Sequence, residues 1–467
     1  DMDFGIYERF LGKNLTGDLS ITGGKLFSEI IAKERRGAYL GRDIQIVPHL
    51  TNLIIGKIKG VAKKRNLDVM VIEVGGTVGD IENGYFIEAM RQLALEEKVV
   101  FVDVTYIPVM SVVGEQKTKP TQLALRSIMQ SGIRPDFVVC RADSKLNEDT
   151  REKLALFANL PKGRIIEDCT QDTLYSLPPY FMGQRFDKML IQELGLERRK
   201  LNKRALSEWK ARTDNLASPK SSVDIAIVGK YTHLKDAYAS VKEALIHSGA
   251  ETSCGINLKW IESEDLERGN IAELLNVDGI VVPGGFGSRG TEGKINAIRY
   301  ARENGIPYLG LCLGMQLMAV EYARNVCGLA GANSTEFNKN ARHKIVDIMP
   351  SQLKVKLKVA SMRLGSWKCK ITSKGTIAYA SYGSRYVYER HRHRYEMNNR
   401  YREILEKNGA VISGVTPDNK LVEFFEWKGG FGIGTQAHPE LKSKFGRPAP
   451  LFLSFVKAAI EHRAQAK

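Results

Sequence analysis

The sequence predicts an α/β protein made of two doubly wound, mostly parallel-sheet domains. Three observations carry that expectation. Short β-branched runs alternate with amphipathic stretches, a charged and Gly-poor segment interrupts the alternation, and the alternation then resumes. Strand-helix-strand alternation implies parallel pairing, because a parallel partner is reached only through a crossover. In the first half the elements are LDVMVIE (67–73), a helical 83–97, VVFVDVTYIPV (99–109), a helical 121–131 and DFVVC (136–140). The segment 196–222, which ends in Ser-Pro-Lys-Ser-Ser, reads as a partly helical connector. Beyond it come VDIAIVG (223–229), a helix near 235–248, INLKWIE (256–262), DGIVVPGG (278–285), a helix near 292–304 and IPYLGLC (306–312). Residues 1–195 and 223–467 are thus expected to be two domains joined by 196–222. Ligands of open parallel sheets bind beyond the carboxyl ends of the strands, so chemistry is expected after DGIVVPG and IPYLGLC.

Composition narrows the class. With 467 residues and 43% hydrophobic content, the chain can bury substantial cores. No stretch reaches the ~18 uninterrupted apolar residues of a membrane-spanning helix, so a soluble protein without a membrane partner is expected. Cysteines 140, 169, 254, 312, 327 and 369 form no C-x-x-C pair, which favours a reducing, cytoplasmic setting. The net charge of +16 does not point to nucleic acid, because basic and acidic residues alternate and no arginine-rich tail accompanies them. Polyanionic small substrates account for the excess.

Gly310-Leu311-Cys312-Leu313-Gly314 sets a cysteine between two glycines where an apolar strand meets the helical pattern LGMQLMAVEYARN. This is a G-x-nucleophile-x-G elbow, in which the helix N-terminus favours thiolate. A buried core cysteine is the competing reading. Two further segments weigh against it. Pro283-Gly284-Gly285-Phe286-Gly287 can aim backbone N–H groups at an oxyanion. In Thr435-Gln436-Ala437-His438-Pro439-Glu440, residues 438 and 440 share one face of an extended segment, so Glu440 can orient His438 as base to Cys312.

PGGFG, GLCLGMQ and QAHPE resemble the signature blocks of class I, triad-type glutamine amidotransferases. The resemblance implies that Cys312 attacks the glutamine amide, that His438 and Glu440 complete the triad, and that Gly285 and Leu313 N–H groups form the oxyanion hole. It also implies glutamine contacts at Gly314, Met315, Gln316, Glu336 and Arg394. The run RHRHRYE could suggest a metal through His391 and His393, but the flanking arginines argue against a cation.

In the first half, EVGGTVGDIE (73–82) and KTKPTQ (117–122) resemble the amidoligase domain of CTP synthases, as do ERRGAYLG (34–41) and VPHLTN (47–52); ANSTEF (332–337) and ERHRHRYE (389–396) match that family in the second half. The family implies Mg²⁺ held by Asp3 and Glu73, ATP contact at Asp3, and substrates ATP, UTP and glutamine. It implies UTP or CTP contacts at Asp80, Ile81, Glu82, Lys117, Thr118, Lys119, Pro120, Thr121, Gln122 and Lys153. GTP activation, homotetramers and filaments follow from the same resemblance. The lysines and hydroxyls of KTKPTQ suit a triphosphate and a pyrimidine edge. Glu73 is expected to end a buried strand.

Family members open with a glycine-rich phosphate loop ahead of the DMDFG segment, and no G-x-x-x-x-G-K pattern occurs here. An upstream segment is therefore expected in the full protein. MPSQLKVKLKVASMRLG (349–365) also reads as shorter than its family counterpart. A GMP synthetase would need a different acceptor signature. A non-catalytic filament or scaffold retaining the fold is opposed by the intact Cys312, His438 and Glu440.

Overall fold

A computed structural model of the chain describes residues 3–110, 114–230, 235–348 and 362–465, so most of the 349–365 stretch lies outside the described residues. The chain divides into two compact units, Asp1–Phe4 with Leu15–Arg204, and Gly5–Asn14 with Ala205–Lys467.

In the first unit, α1 (Gly23–Arg35) starts where the Thr22 hydroxyl accepts from the Lys25 N–H, and α2 (Thr51–Arg65) ends on left-handed Asn66. With α3 (Ile81–Leu93) they bury Leu26, Ile30, Leu50, Ile54, Met90 and Leu93 in one cluster. A parallel sheet follows in the order β1 (Val102–Tyr106), β2 (Phe137–Ala142), β3 (Ile165–Cys169). Helices α4 (Lys119–Gln130) and α5 (Glu148–Ala158) bury Leu125 and Leu154 against Val138, Cys140 and Ile165. Fully burying each such side chain contributes about 1.5–3 kcal/mol.

The run 67–73 departs from expectation. It is not a strand, and Val71 is 91% exposed. A β-branched run becomes a strand only when a neighbour pairs its backbone, and among the described residues none does so. Glu73 accordingly sits on an exposed, irregular segment and does not end a buried strand.

The second unit holds α6 (Lys203–Ala217) and a nine-stranded sheet. The strands of that sheet and the longer helices packed on it are β4 (Ser221–Gly229), α7 (Ala239–Thr252), β5 (Cys254–Glu262), β6 (Gly279–Val282), α8 (Thr291–Glu303), β7 (Tyr308–Leu311), α9 (Leu313–Asn325), β8 (Arg363–Ile371), β9 (Tyr386–His393), β10 (Val411–Val415), β11 (Val422–Glu426), β12 (Gly432–Thr435) and α10 (Pro450–Gln465). The sheet order is β9-β8-β10-β11-β12-β7-β6-β4-β5. From β12 to β5 the pairs are parallel. From β9 to β12 they are antiparallel, an extension the alternation did not announce. Both faces are covered: along β4, Ala226 and Val228 join one core with residues of α8 and α9, whereas Val223, Ile225 and Ile227 join another with residues of α7 and α10.

Candidate active site

Strands β12, β7 and β6 are parallel neighbours, so their carboxyl ends lie side by side. Each is followed at once by one of the segments singled out above: His438, Cys312 and the turn from Pro283. Cys312 adopts φ 51° and ψ −99°, a left-handed conformation rare for a residue with a Cβ, and α9 begins at the next residue. Its N–H donates to the Thr435 carbonyl at 2.7 Å, which ties the elbow to β12. Gly314 must be glycine here, because a Cβ would collide with the Val282 carbonyl at the end of β6. Gly284 faces the same demand: an added Cβ would meet the His438 ring at 2.7 Å and Cys312 Cβ at 3.5 Å.

His438 and Glu440 pair through Nδ1 and Oε1 at 2.7 Å. Burial alone would depress the imidazole, but Glu440 and Cys312 outweigh it and hold His438 well above the ordinary histidine range. The imidazolium beside a thiol is the arrangement that favours thiolate. Gln436 donates to Cys312 Sγ at 3.6 Å and accepts from Gln316 Nε2 at 3.2 Å. The Gln316 amide also donates to the Tyr395 carbonyl at 2.9 Å.

Leu313 opens α9, and Gly314 and Met315 are buried behind it. Glu336 accepts from the Gly287 N–H at 2.9 Å. Burial raises its carboxyl, opposed by that bond and by the Lys230 and Arg394 charges. The Arg394 Nε is buried without a hydrogen-bond partner, a donor set suited to a carboxylate. His391 and His393 hydrogen-bond each other at 2.9 Å, and desolvation pushes both below the ordinary histidine range. They belong to a buried chain with Glu423 and Arg363, whose Nη2 donates to Glu423 at 2.6 Å. Among the described residues, no group of three or more His, Cys, Asp or Glu side chains could hold a metal.

Lys294, on α8, escaped the sequence reading. It is fully buried, its Nζ has no hydrogen-bond partner, and it lies 3.9 Å from where a Gly285 Cβ would be. Desolvation first, then the Lys230 charge, brings its ammonium down to about 7, against the pull of Glu262. A lysine in a helical pattern reads as solvated surface, and nothing in the sequence signals otherwise.

The residues assigned to nucleotides in the first unit are mostly exposed. Asp80 precedes α3, and Ile81 and Glu82 begin it, with Ile81 92% exposed. Asn83, another residue missed, donates to the Gly75 and Thr77 carbonyls and fixes that loop. Lys117 donates to Glu115 at 2.6 Å; that bond, and more weakly the charge of Lys153 on α5, hold the Glu115 carboxyl below its usual range. Thr118, Lys119 and Pro120 form the start of α4, and Gln122 donates back to the Thr118 hydroxyl at 3.1 Å. Thr121 differs from its neighbours, being fully buried with its hydroxyl shared with Thr105 at 3.0 Å. Asp3 is exposed just ahead of the helix Phe4–Leu11.

Comparison with known proteins bears on both units. The family described as CTP synthase N-terminus matches residues 1–196, and the family described as glutamine amidotransferase class-I matches 233–458. The CTP synthase of Caldanaerobacter subterraneus subsp. tengcongensis is 48% identical over 98% of this chain and 86% of its own length. That of Methanocaldococcus jannaschii is 46% identical over 98% and 86%. That of Pyrococcus abyssi is 47% identical over 100% and 86%. A solved glutaminase domain of Trypanosoma brucei CTPS with bound acivicin aligns at 42% identity and TM-score 0.49, over 51% of this chain and 94% of that one. With a nucleophile elbow in one unit, family matches over both, and close identity along almost the entire sequence, the chain belongs to the CTP synthase family, glutamine-hydrolysing ligases that make CTP.

Proposed function

We propose that Cys312, His438 and Glu440 release ammonia from glutamine for the amination of UTP. The observation that carries this reading is the elbow geometry of Cys312 beside a His438 paired with Glu440 at 2.7 Å. Cys312 Sγ attacks the γ-amide carbon, and the Gly285 and Leu313 N–H groups donate to the oxyanion, each such donor contributing on the order of 10²–10³ in turnover. The imidazolium of His438 gives its proton to the departing nitrogen, which leaves as ammonia with a γ-glutamyl thioester behind. His438, now neutral, takes a proton from water, whose oxygen attacks the thioester and frees glutamate and Cys312. Arg394, Glu336 and Gln316 orient the substrate, with the guanidinium taking its α-carboxylate; Gly314 and Met315 shape the wall.

In the first unit ATP phosphorylates the uracil 4-oxygen of UTP and ammonia displaces the phosphate. Lys117, Thr118, Lys119, Pro120, Thr121, Gln122 and Lys153 are proposed at UTP, with Thr121 supporting the loop from within. Asp80, Ile81 and Glu82 are proposed at product CTP. Asp3 and Glu73 are two exposed carboxylates, and Mg²⁺ takes one or two carboxylates and completes its shell with phosphate oxygens and water, which is the kind of donor these residues would supply. When bound, Mg²⁺ would neutralise triphosphate charge; Asp3 would also contact ATP. Family membership further supports GTP as activator, homotetramers and filaments. Six free cysteines support a cytoplasmic setting.

The test is Cys312→Ala in the complete protein. CTP formation from glutamine should vanish, while formation from added ammonia persists. Equal loss of both would refute separate sites.

A further inference from the structure

His438 and Glu440 lie on the short segment after β12, and something must hold that segment against the elbow. Arg390, on β9, grips it at both ends. Its carbonyl accepts from the His438 N–H at 2.7 Å, and its Nη1 donates to the Leu441 carbonyl at 3.0 Å. The same guanidinium is held by Glu8: Nη1 donates to Oε2 at 2.8 Å and Nη2 to Oε1 at 2.6 Å. This is the bidentate fork that fixes both the position and the plane of an arginine. Glu8 is buried, 4% exposed, and belongs to the helix Phe4–Leu11, more than three hundred residues upstream in sequence.

That helix is itself anchored in the second unit. Arg9 donates to Ser240 at 3.1 Å, Phe10 packs on Trp209 at 5.6 Å between ring centres, and Trp209 packs on Phe445 at 4.7 Å. The fork therefore rests on a docked helix.

We propose that Glu8 is a positioning residue of the glutamine-hydrolysing centre, acting through Arg390 to set the segment His438–Leu441 against Cys312. It touches no reacting atom. This inference rests on the triad reading above, and the Cys312→Ala result tests that reading separately. Because a displacement of about 1 Å can cost a hundredfold in rate, loosening the fork should lower turnover more than substrate affinity.

The experiment compares Glu8→Gln with the parent in the complete protein, and Glu8→Asp as a second variant. Glu8→Gln keeps the shape and removes the charge that locks the fork. Its kcat for glutamine hydrolysis should fall roughly ten- to a hundredfold, with KM for glutamine nearly unchanged and ammonia-driven CTP formation retained. The pH dependence of Cys312 alkylation by iodoacetamide should also shift, because the imidazole has moved relative to the thiol. Glu8→Asp, which retains the charge at shorter reach, should recover part of the turnover. Parent-like turnover and alkylation in Glu8→Gln would overturn the proposal, leaving the helix as packing only. Parallel loss of both activities in both variants would also overturn it, since that is the signature of a folding role.

Discussion

The two units hold the groups proposed for chemistry in opposite ways. In the second, Cys312, Gln316, Gln436 and Glu440 are all buried and most are tied to backbone carbonyls or to each other. In the first, Glu73, Asp80, Ile81, Glu82, Lys119 and Lys153 stand exposed. Covalent catalysis on a neutral amide needs geometry fixed before the substrate arrives. Binding a triphosphate needs charge, and the substrate brings its own shape. The difference teaches that damage to the second unit should act through distances and cost turnover steeply, whereas damage to the first should be graded by charge.

The sharpest way to break this contrast is Gly314→Ala. One methyl would meet the Val282 carbonyl, so the elbow must move or the strand end must yield. Overpacking of this kind costs about 1–3 kcal/mol of stability, and glutamine hydrolysis should fall by roughly 10³ or more. Calorimetry and a glutaminase assay measure the two effects. A fully active variant would show that the elbow tolerates what the geometry forbids.

Glu440→Gln is next in size. The amide can still orient the ring, but it no longer stabilises the imidazolium, so the pKa of His438 should drop toward the ordinary histidine range. The turnover loss should be at least roughly a hundredfold, the lower end of what a positioned general acid and base contributes. Because the Glu440 charge helps hold the imidazole above its ordinary range, the titration profile of the His438 ring, followed by NMR, should move to lower pH in the variant. An unchanged profile would remove Glu440 from the triad.

Lys117→Ala should give the smallest effect. A charge-assisted contact to phosphate is worth about 1.5–3 kcal/mol, but Lys117 is half-exposed and already pairs with Glu115 at 2.6 Å, so the lower end applies. UTP binding should weaken by roughly tenfold in a titration, with glutamine hydrolysis unaffected. Intact UTP affinity would mean that this lysine is surface charge only.

The elbow was legible because glycines at fixed offsets record a backbone demand that one residue type alone meets. The parallel strands β6 and β7 were legible because they are short apolar runs buried on both faces, and β4 because its second half is such a run, whereas the edge strand β5 was legible through apolar residues alternating with Asn257 and Lys259. Strands β8 and β9 were not, since they bury charge: Arg363 and His391 pair with Glu423 of β11 inside the sheet, and a sequence pattern counts them as surface. Residues 67–73 failed in the opposite direction, with a strand's composition and, among the described residues, no strand beside it. Lys294 owes its burial, and Arg390 its hold on the His438–Leu441 segment, wholly to what packs around them, and local sequence holds no trace of that.

One feature of the fold bears on how the enzyme can be taken apart. The helix that carries Glu8 precedes the acceptor unit in the chain yet clusters with the other one. The glutamine-hydrolysing unit is thus discontinuous, with Leu15–Arg204 inserted between its first helix and its remainder. A fragment starting at Ala205 would leave Arg390 without its carboxylate and Trp209 without Phe10. An excised module should therefore behave well only when residues 5–14 are fused back, and a protease nick within 15–204 should leave the small amino-terminal piece bound to the larger fragment.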